Sequence, residues 1–300
     1  MARHPAVAAS TLALAVVLAG GCAGKEPDGS VGAAQGRDTT TSRTTTTSPA
    51  EADHPRGVIA FGHSALTGLS ADPDRPQENS PKSSWATGTD PKVDSVYLRL
   101  VKVRPETQGS VANTAENGAK AATLPAQAEA ALDQVPFPAL AIVQTIDNDI
   151  RCDGSDAAHL PEFRASVRAA VETVHSASPK TTILVVSNFG SPAGYAKALA
   201  KDPVAVAGFA DTDPCSPFTG KGTINAKGVA TLTAIIDRYE AEQVRACAGI
   251  PVCHTDDGTL SGYTERLELL ASDRQHLLAA GHAELAALIW PTVEKVLELP

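Results

Sequence analysis

Four short stretches of this chain carry side chains that could act on one another. Gly62-His63-Ser64-Ala65-Leu66-Thr67-Gly68 offers a hydroxyl in a glycine-flanked turn, and Asn113-Thr114-Ala115-Glu116-Asn117-Gly118-Ala119 offers amide donors and a glycine N–H. Ile146-Asp147-Asn148-Asp149 offers a further side-chain amide, and Asp273-Arg274-Gln275-His276 sets a carboxylate three residues before an imidazole. Taken singly, each has an ordinary reading: a serine after a strand is commonly a helix cap, Asn-Asp is common in loops, and a lone Asp-x-x-His arises by chance. Their combination says more. Attack on an ester carbonyl needs a serine whose proton a base removes. The tetrahedral oxyanion needs donors already in place, and the base needs a carboxylate to fix its tautomer and balance the imidazolium charge.

Such groups must be delivered to one point by the elements that precede them. The apolar runs at 57–62, 140–146 and 181–187 predict buried strands. Shorter strands are expected at 110–113 and 250–255. Helical spacing or composition predicts helices over 93–103, 124–132, 161–177, 226–247 and 277–297. Pro125 and Pro161 are assigned to first turns, and Pro291 is expected to break or kink the closing helix. Near-continuous apolar strands alternating with helices imply a parallel sheet covered on both faces. Sites in such sheets lie beyond the carboxyl ends of the strands. Three of the four stretches fall there, and the fourth just before the last helix.

Residues 1–21 read as a targeting signal: Arg3, then an apolar run from Leu12 to Leu18 that is too short to span a bilayer. The segment ends Leu18-Ala19-Gly20-Gly21-Cys22, which looks like a lipobox, with Cys22 as the lipidated first residue of the exported chain. Residues 22–56 are rich in Thr and Ser and lack apolar periodicity, so they read as a disordered tether. Residues 57–300 are left as one catalytic-sized domain. The net charge of −9, without a basic stripe, argues against nucleic acid and against electrostatic attachment to anionic lipid. Lipid on Cys22 would do the anchoring, at the outer face of the cell membrane.

Cys152, Cys215, Cys247 and Cys253 remain, an even number in an exported chain, and three pairings are open. The expected pairs are Cys247 with Cys253, which closes a short loop after a long helix, and Cys152 with Cys215, at the rim of the site. No spacing suggests a metal or an organic cofactor, and Asp256-Asp257-Gly258 reads as a turn.

From Gly57 to Pro291 the sequence resembles the SGNH (GDSL-like) hydrolase family. The resemblance rests on Gly62-His63-Ser64, Gly118, Asn148 within Ile-Asp-Asn-Asp, and Asp273-Arg-Gln-His276, supported by Ser84-Trp85-Ala86-Thr87-Gly88. It implies a three-layer α/β/α sandwich around a central, mostly parallel five-stranded sheet, flavodoxin-like in order. It implies Ser64 as nucleophile, His276 as base and then acid, and Asp273 as the orienting carboxylate. The oxyanion hole would be the N–H groups of Ser64 and Gly118 and the side chain of Asn148. Two positions depart from the pattern: His63 stands where an Asp is usual, and Ile146 where a Gly is usual. His63 is read as structural, and His159, His175, His254 and His282 as structural or exposed.

The expected activity is hydrolysis of carboxylic esters by a monomeric, lipid-anchored surface enzyme. The loops at 70–92 and 187–221 lack a long Leu/Phe stretch, which favours short acyl, acetyl or glycan esters. Acyl transfer by the same triad, and a non-catalytic binding lipoprotein on the same fold, are the alternatives.

Overall fold

The computed structural model describes residues 54–300. Cys22, the signal segment and nearly all of the proposed tether lie outside the described residues. Five strands form one sheet in the order β2-β1-β3-β4-β5: β1 (Val58–Gly62), β2 (Val111–Asn113), β3 (Leu140–Gln144), β4 (Thr182–Val186) and β5 (Cys253–Thr255). Every neighbouring pair is parallel.

Successive side chains of a strand point to opposite faces, so the central strands feed two separate cores. Val58, Ala60, Leu140, Ile142, Leu184 and Val186 pack on one face. There they meet Val96, Tyr97 and Leu100 of α2 (Val96–Val103) and Leu285, Ile289 and Val293 of α8 (Ala279–Val296). Ile59, Phe61, Ala141, Val143, Ile183 and Val185 pack on the other. Their partners are Leu124 and Ala128 of α3 (Leu124–Gln134), Phe163 and Val167 of α4 (Asp156–Ala177), and Ile235 and Tyr239 of α7 (Ala226–Cys247). The result is the expected three-layer α/β/α sandwich, with a sheet that is parallel throughout. Short helices α1 (Ser64–Thr67), α5 (Pro192–Leu199) and α6 (Pro203–Gly208) lie in the connections.

Three boundaries differ from expectation. Helix α4 begins at Asp156, so Pro161 lies inside it and not in the first turn. The missing N–H there removes one bond near the start of a 22-residue helix whose apolar face is buried, a loss the packing outweighs. Pro291 likewise does not end α8, which runs on to Val296 because Ile289 and Val293 on either side are anchored in the core. Strand β5 covers only Cys253–Thr255, because Cys253 N–H bonds to the Ile250 carbonyl in a turn.

Both expected disulfides are present, Cys152–Cys215 and Cys247–Cys253. The second links the end of α7 to β5.

Candidate active site

The first site element follows directly from β1. At its last residue, Gly62, φ is +147°, and a Cβ there would lie 1.8 Å from the Gln144 carbonyl oxygen of the adjacent strand. Only glycine lets the backbone pass that close. The Gly62 N–H donates to Gln127 Oε1 at 2.7 Å. The chain then turns into α1, whose N-cap is His63: its Nδ1 accepts the Ala65 N–H at 3.3 Å. The cap leaves Ser64 at the head of the helix, partly open to solvent.

Ser64 Oγ lies 2.8 Å from His276 Nε2, and His276 Nδ1 lies 2.9 Å from Asp273 Oδ2. With Asp273 ionised, Nδ1 carries the proton and donates it to the carboxylate, so Nε2 is left to accept from the serine hydroxyl. Asp273 Oδ1 accepts the N–H groups of Gln275 and His276, and Oδ2 also accepts from Ser70 Oγ at 3.1 Å. Burial pushes this carboxyl up. The backbone donors and the His276 ring more than offset that, and its pKa is held below the usual carboxylate range.

The turn bearing Asp273 and His276 lies outside the sheet. Leu270 and Leu277 pair as an antiparallel bridge, the Ala271 N–H donates to the His276 carbonyl at 2.8 Å, and Arg274 takes φ +61°. Two neighbours brace it: Tyr195 of α5 donates its hydroxyl to the Arg274 carbonyl at 2.9 Å, and Arg274 Nε donates to Asp202 Oδ2 at 2.8 Å.

Gly118 and Asn148 come to the same cavity as Ser64 and His276. Gly118 sits in a turn at φ +76°, with no atom within 4 Å of where a Cβ would be. Among the described residues, no protein acceptor meets the N–H of Ser64 or Gly118. Asn148 Nδ2 donates to the Ala119 carbonyl at 3.0 Å, tying the two loops together. An amide carries two hydrogens, so one remains for a ligand. Ile146 holds φ +113° while wholly buried. A β-branched residue rarely adopts that conformation, whereas the other departure, His63, serves as the N-cap of α1.

The cavity measures about 580 Å³. The Cys152–Cys215 bridge forms part of its wall, with Ile150, Leu232 and Ile236, whereas Cys247–Cys253 does not reach it. Those two bridged sulfurs and Asp213 come close enough to suggest a metal group, but disulfide sulfurs are not thiolate ligands.

Glu265 and Tyr195 in the cavity wall escape the sequence reading, whereas His282 is named there as structural or exposed. His282 is buried in that wall, and desolvation pushes its pKa down to about 4, so it stays neutral at neutral pH. Glu265 is 7% exposed and packs against Gly190 and Gly194, where a Cβ would strike its carboxyl group. Its Oε1 accepts the Ser191 N–H at 2.7 Å, and burial pushes its pKa up to about 7. Neither Glu265 nor Ser70 or Tyr195 lies in a motif; only the fold brings them near. Asp256 does form the expected turn, and its buried carboxylate also accepts from the Ser187 N–H and hydroxyl and the Leu260 N–H.

No protein-family model and no curated protein matches this chain. Solved structures do resemble it. One is titled "Crystal Structure of TesA" (12% identity, 80% of this chain and 99% of that one, TM-score 0.46). Another is a putative GDSL-like lipase from Parabacteroides merdae (14%, 82% and 97%, TM-score 0.47). A third is an extracellular lipase from Streptomyces rimosus (17%, 80% and 99%, TM-score 0.46).

Proposed function

We propose that this protein is a serine hydrolase of the SGNH type that cleaves carboxylic esters. The observation that carries the reading is the hydrogen-bonded chain Ser64–His276–Asp273, at 2.8 and 2.9 Å, opening on a cavity. His276 Nε2 takes the Ser64 proton as Oγ attacks the ester carbonyl. Negative charge moves to the carbonyl oxygen, where the N–H groups of Ser64 and Gly118 and the free Asn148 hydrogen receive it. Asp273 stabilises the imidazolium. His276 then protonates the leaving alkoxide, releasing the alcohol and leaving an acyl-serine. Water, deprotonated by His276, attacks that acyl group and releases the acid. Short acyl, acetyl or glycan esters are the favoured substrates, and Cys22 carries the lipid that holds the enzyme at the outer face of the cell membrane.

The test is covalent labelling with a fluorophosphonate, with peptide mapping of the adduct, alongside hydrolysis of p-nitrophenyl esters from acetyl to palmitoyl. Modification of Ser64 and fastest turnover on the shorter chains are expected. Folded protein that neither labels nor hydrolyses any of the series overturns the reading. For the anchor, Cys22→Ala should move the protein from the membrane fraction to the soluble one; unchanged partitioning would rule the anchor out.

A further inference from the structure

Beside the Ser64–His276–Asp273 chain lies a second imidazole–carboxylate pair, His63 and Asp147, which that chemistry does not use. The His63 side chain is only 3% exposed, and its Nδ1 is already an acceptor for the Ala65 N–H. Its proton therefore sits on Nε2 in the neutral ring, the form that burial favours by lowering its pKa. Nε2 has no hydrogen-bond partner, and it faces Asp147 Oδ2 at 3.5 Å, a little too far for a good bond.

Asp147 is under-satisfied in turn. Among the described residues nothing donates a hydrogen bond to it, and 38% of its side-chain surface stays open. It lines the cavity together with Ser64, Asn148 and His276, and it directly precedes Asn148 in the chain. Surrounding protein desolvates the carboxyl enough to push its pKa up, although the charges of His63 and His276 act the other way. A carboxylate that opens into the cavity with spare lone pairs can accept from a donor that reaches it there. Among the described residues that line the cavity, Arg151, whose side chain is exposed, is the one arginine, and there is no lysine. The missing donor is one a ligand can bring.

We propose that Asp147, which His63 faces at 3.5 Å, is a substrate-binding carboxyl that selects esters bearing a hydroxyl or ammonium donor a few atoms from the scissile bond. This deepens the serine-hydrolase reading and rests on it. A hydrogen bond to a charged acceptor discriminates against an analogue that lacks the donor, because the site's polar group is then left unpaired.

The experiment compares kcat/KM of the full chain on three p-nitrophenyl esters of equal acyl length: butyrate, 3-hydroxybutyrate and 3-aminobutyrate. The wild type should favour at least one donor-bearing ester over butyrate by about tenfold. Asp147→Leu should bring that ratio to about one while Ser64 still labels with a fluorophosphonate. Asp147→Asn separates the two donors: it retains a preference for the hydroxyl ester if that is the selected group, and loses it if the ammonium is. His63→Asn keeps an N-cap for α1 but does not reach Asp147, so the ratio should fall part of the way. Equal wild-type rates on all three esters, or a preference that survives Asp147→Leu, overturns the proposal while the serine-hydrolase reading stands. A folded wild type that neither labels nor hydrolyses any of the three overturns both.

Discussion

The nucleophile turn and the base turn meet at 2.8 Å, but they are held in different ways. Ser64 follows a strand whose five residues are all buried and which pairs on both sides, with β2 and β3. Its position is set by apolar packing and by one glycine that allows two backbones to touch. His276 belongs to an irregular segment off the sheet, positioned by a short antiparallel bridge and by polar contacts from Ser70, Tyr195 and Asp202. The first kind of support is shared with global stability. The second is local, so it can be weakened while the domain stays folded.

The sharpest tests of this contrast begin at the reacting atoms. Ser64→Ala and His276→Ala should each lower turnover on an ester on the order of 10⁶-fold, and the double variant should be little worse, because the two groups act as a unit. Additive losses in steady-state kinetics would show that they do not. Under the nucleophile turn, Gly62→Ala should cost about 3 kcal/mol or more of stability, seen in denaturant unfolding, since a Cβ would overlap the Gln144 carbonyl. A near-normal unfolding midpoint would contradict the packing argument. Asn148→Ala should lower kcat by ~10²–10³ with unfolding little changed, the scale of one oxyanion donor.

Under the base turn, Tyr195→Phe deletes the hydroxyl that holds the Arg274 carbonyl. A drop of about tenfold in kcat with an unchanged unfolding midpoint is expected, since misplacement alone slows reactions. If stability falls as much as turnover, the two supports are not separable in the way proposed here. An effect on stability alone concerns Glu265. Its pKa rises from 4.5 to about 7 in the folded chain, chiefly through burial. The folded state thus favours the neutral acid: its contribution is full below pH 4.5 and is lost as pH rises through about 7. Glu265→Gln should therefore leave stability nearly unchanged at pH 4 and raise it at pH 8, by on the order of 2 kcal/mol. Parallel stability–pH curves for wild type and variant would refute this.

The primary structure by itself carried the layers and singled out the residues of the hydrogen-bonded chain Ser64–His276–Asp273. Runs such as Val58–Gly62 and Thr182–Val186 are short, apolar and bounded by polar or glycine residues, which favours buried strands, and helical spacing over 226–247 needs no tertiary help to be seen. Ser64, Gly118, Asn148, Asp273 and His276 stand out because their surroundings are short local motifs that keep their order along the chain. The sequence pattern starts helix α4 five residues late, because Pro161 is a strong local signal for a first turn and only the buried face of the helix outweighs that signal. What the tertiary structure alone decided is which side chains from distant segments meet. Ser70 reaches Asp273 across 203 positions, Tyr195 reaches Arg274 across 79, and His63 faces Asp147 from a neighbouring strand end. None of these pairs has a periodicity or a spacing to betray it. Each depends on strand order and loop path, which set the distance between two groups through the packing of the whole sheet and leave no mark on the residues between them.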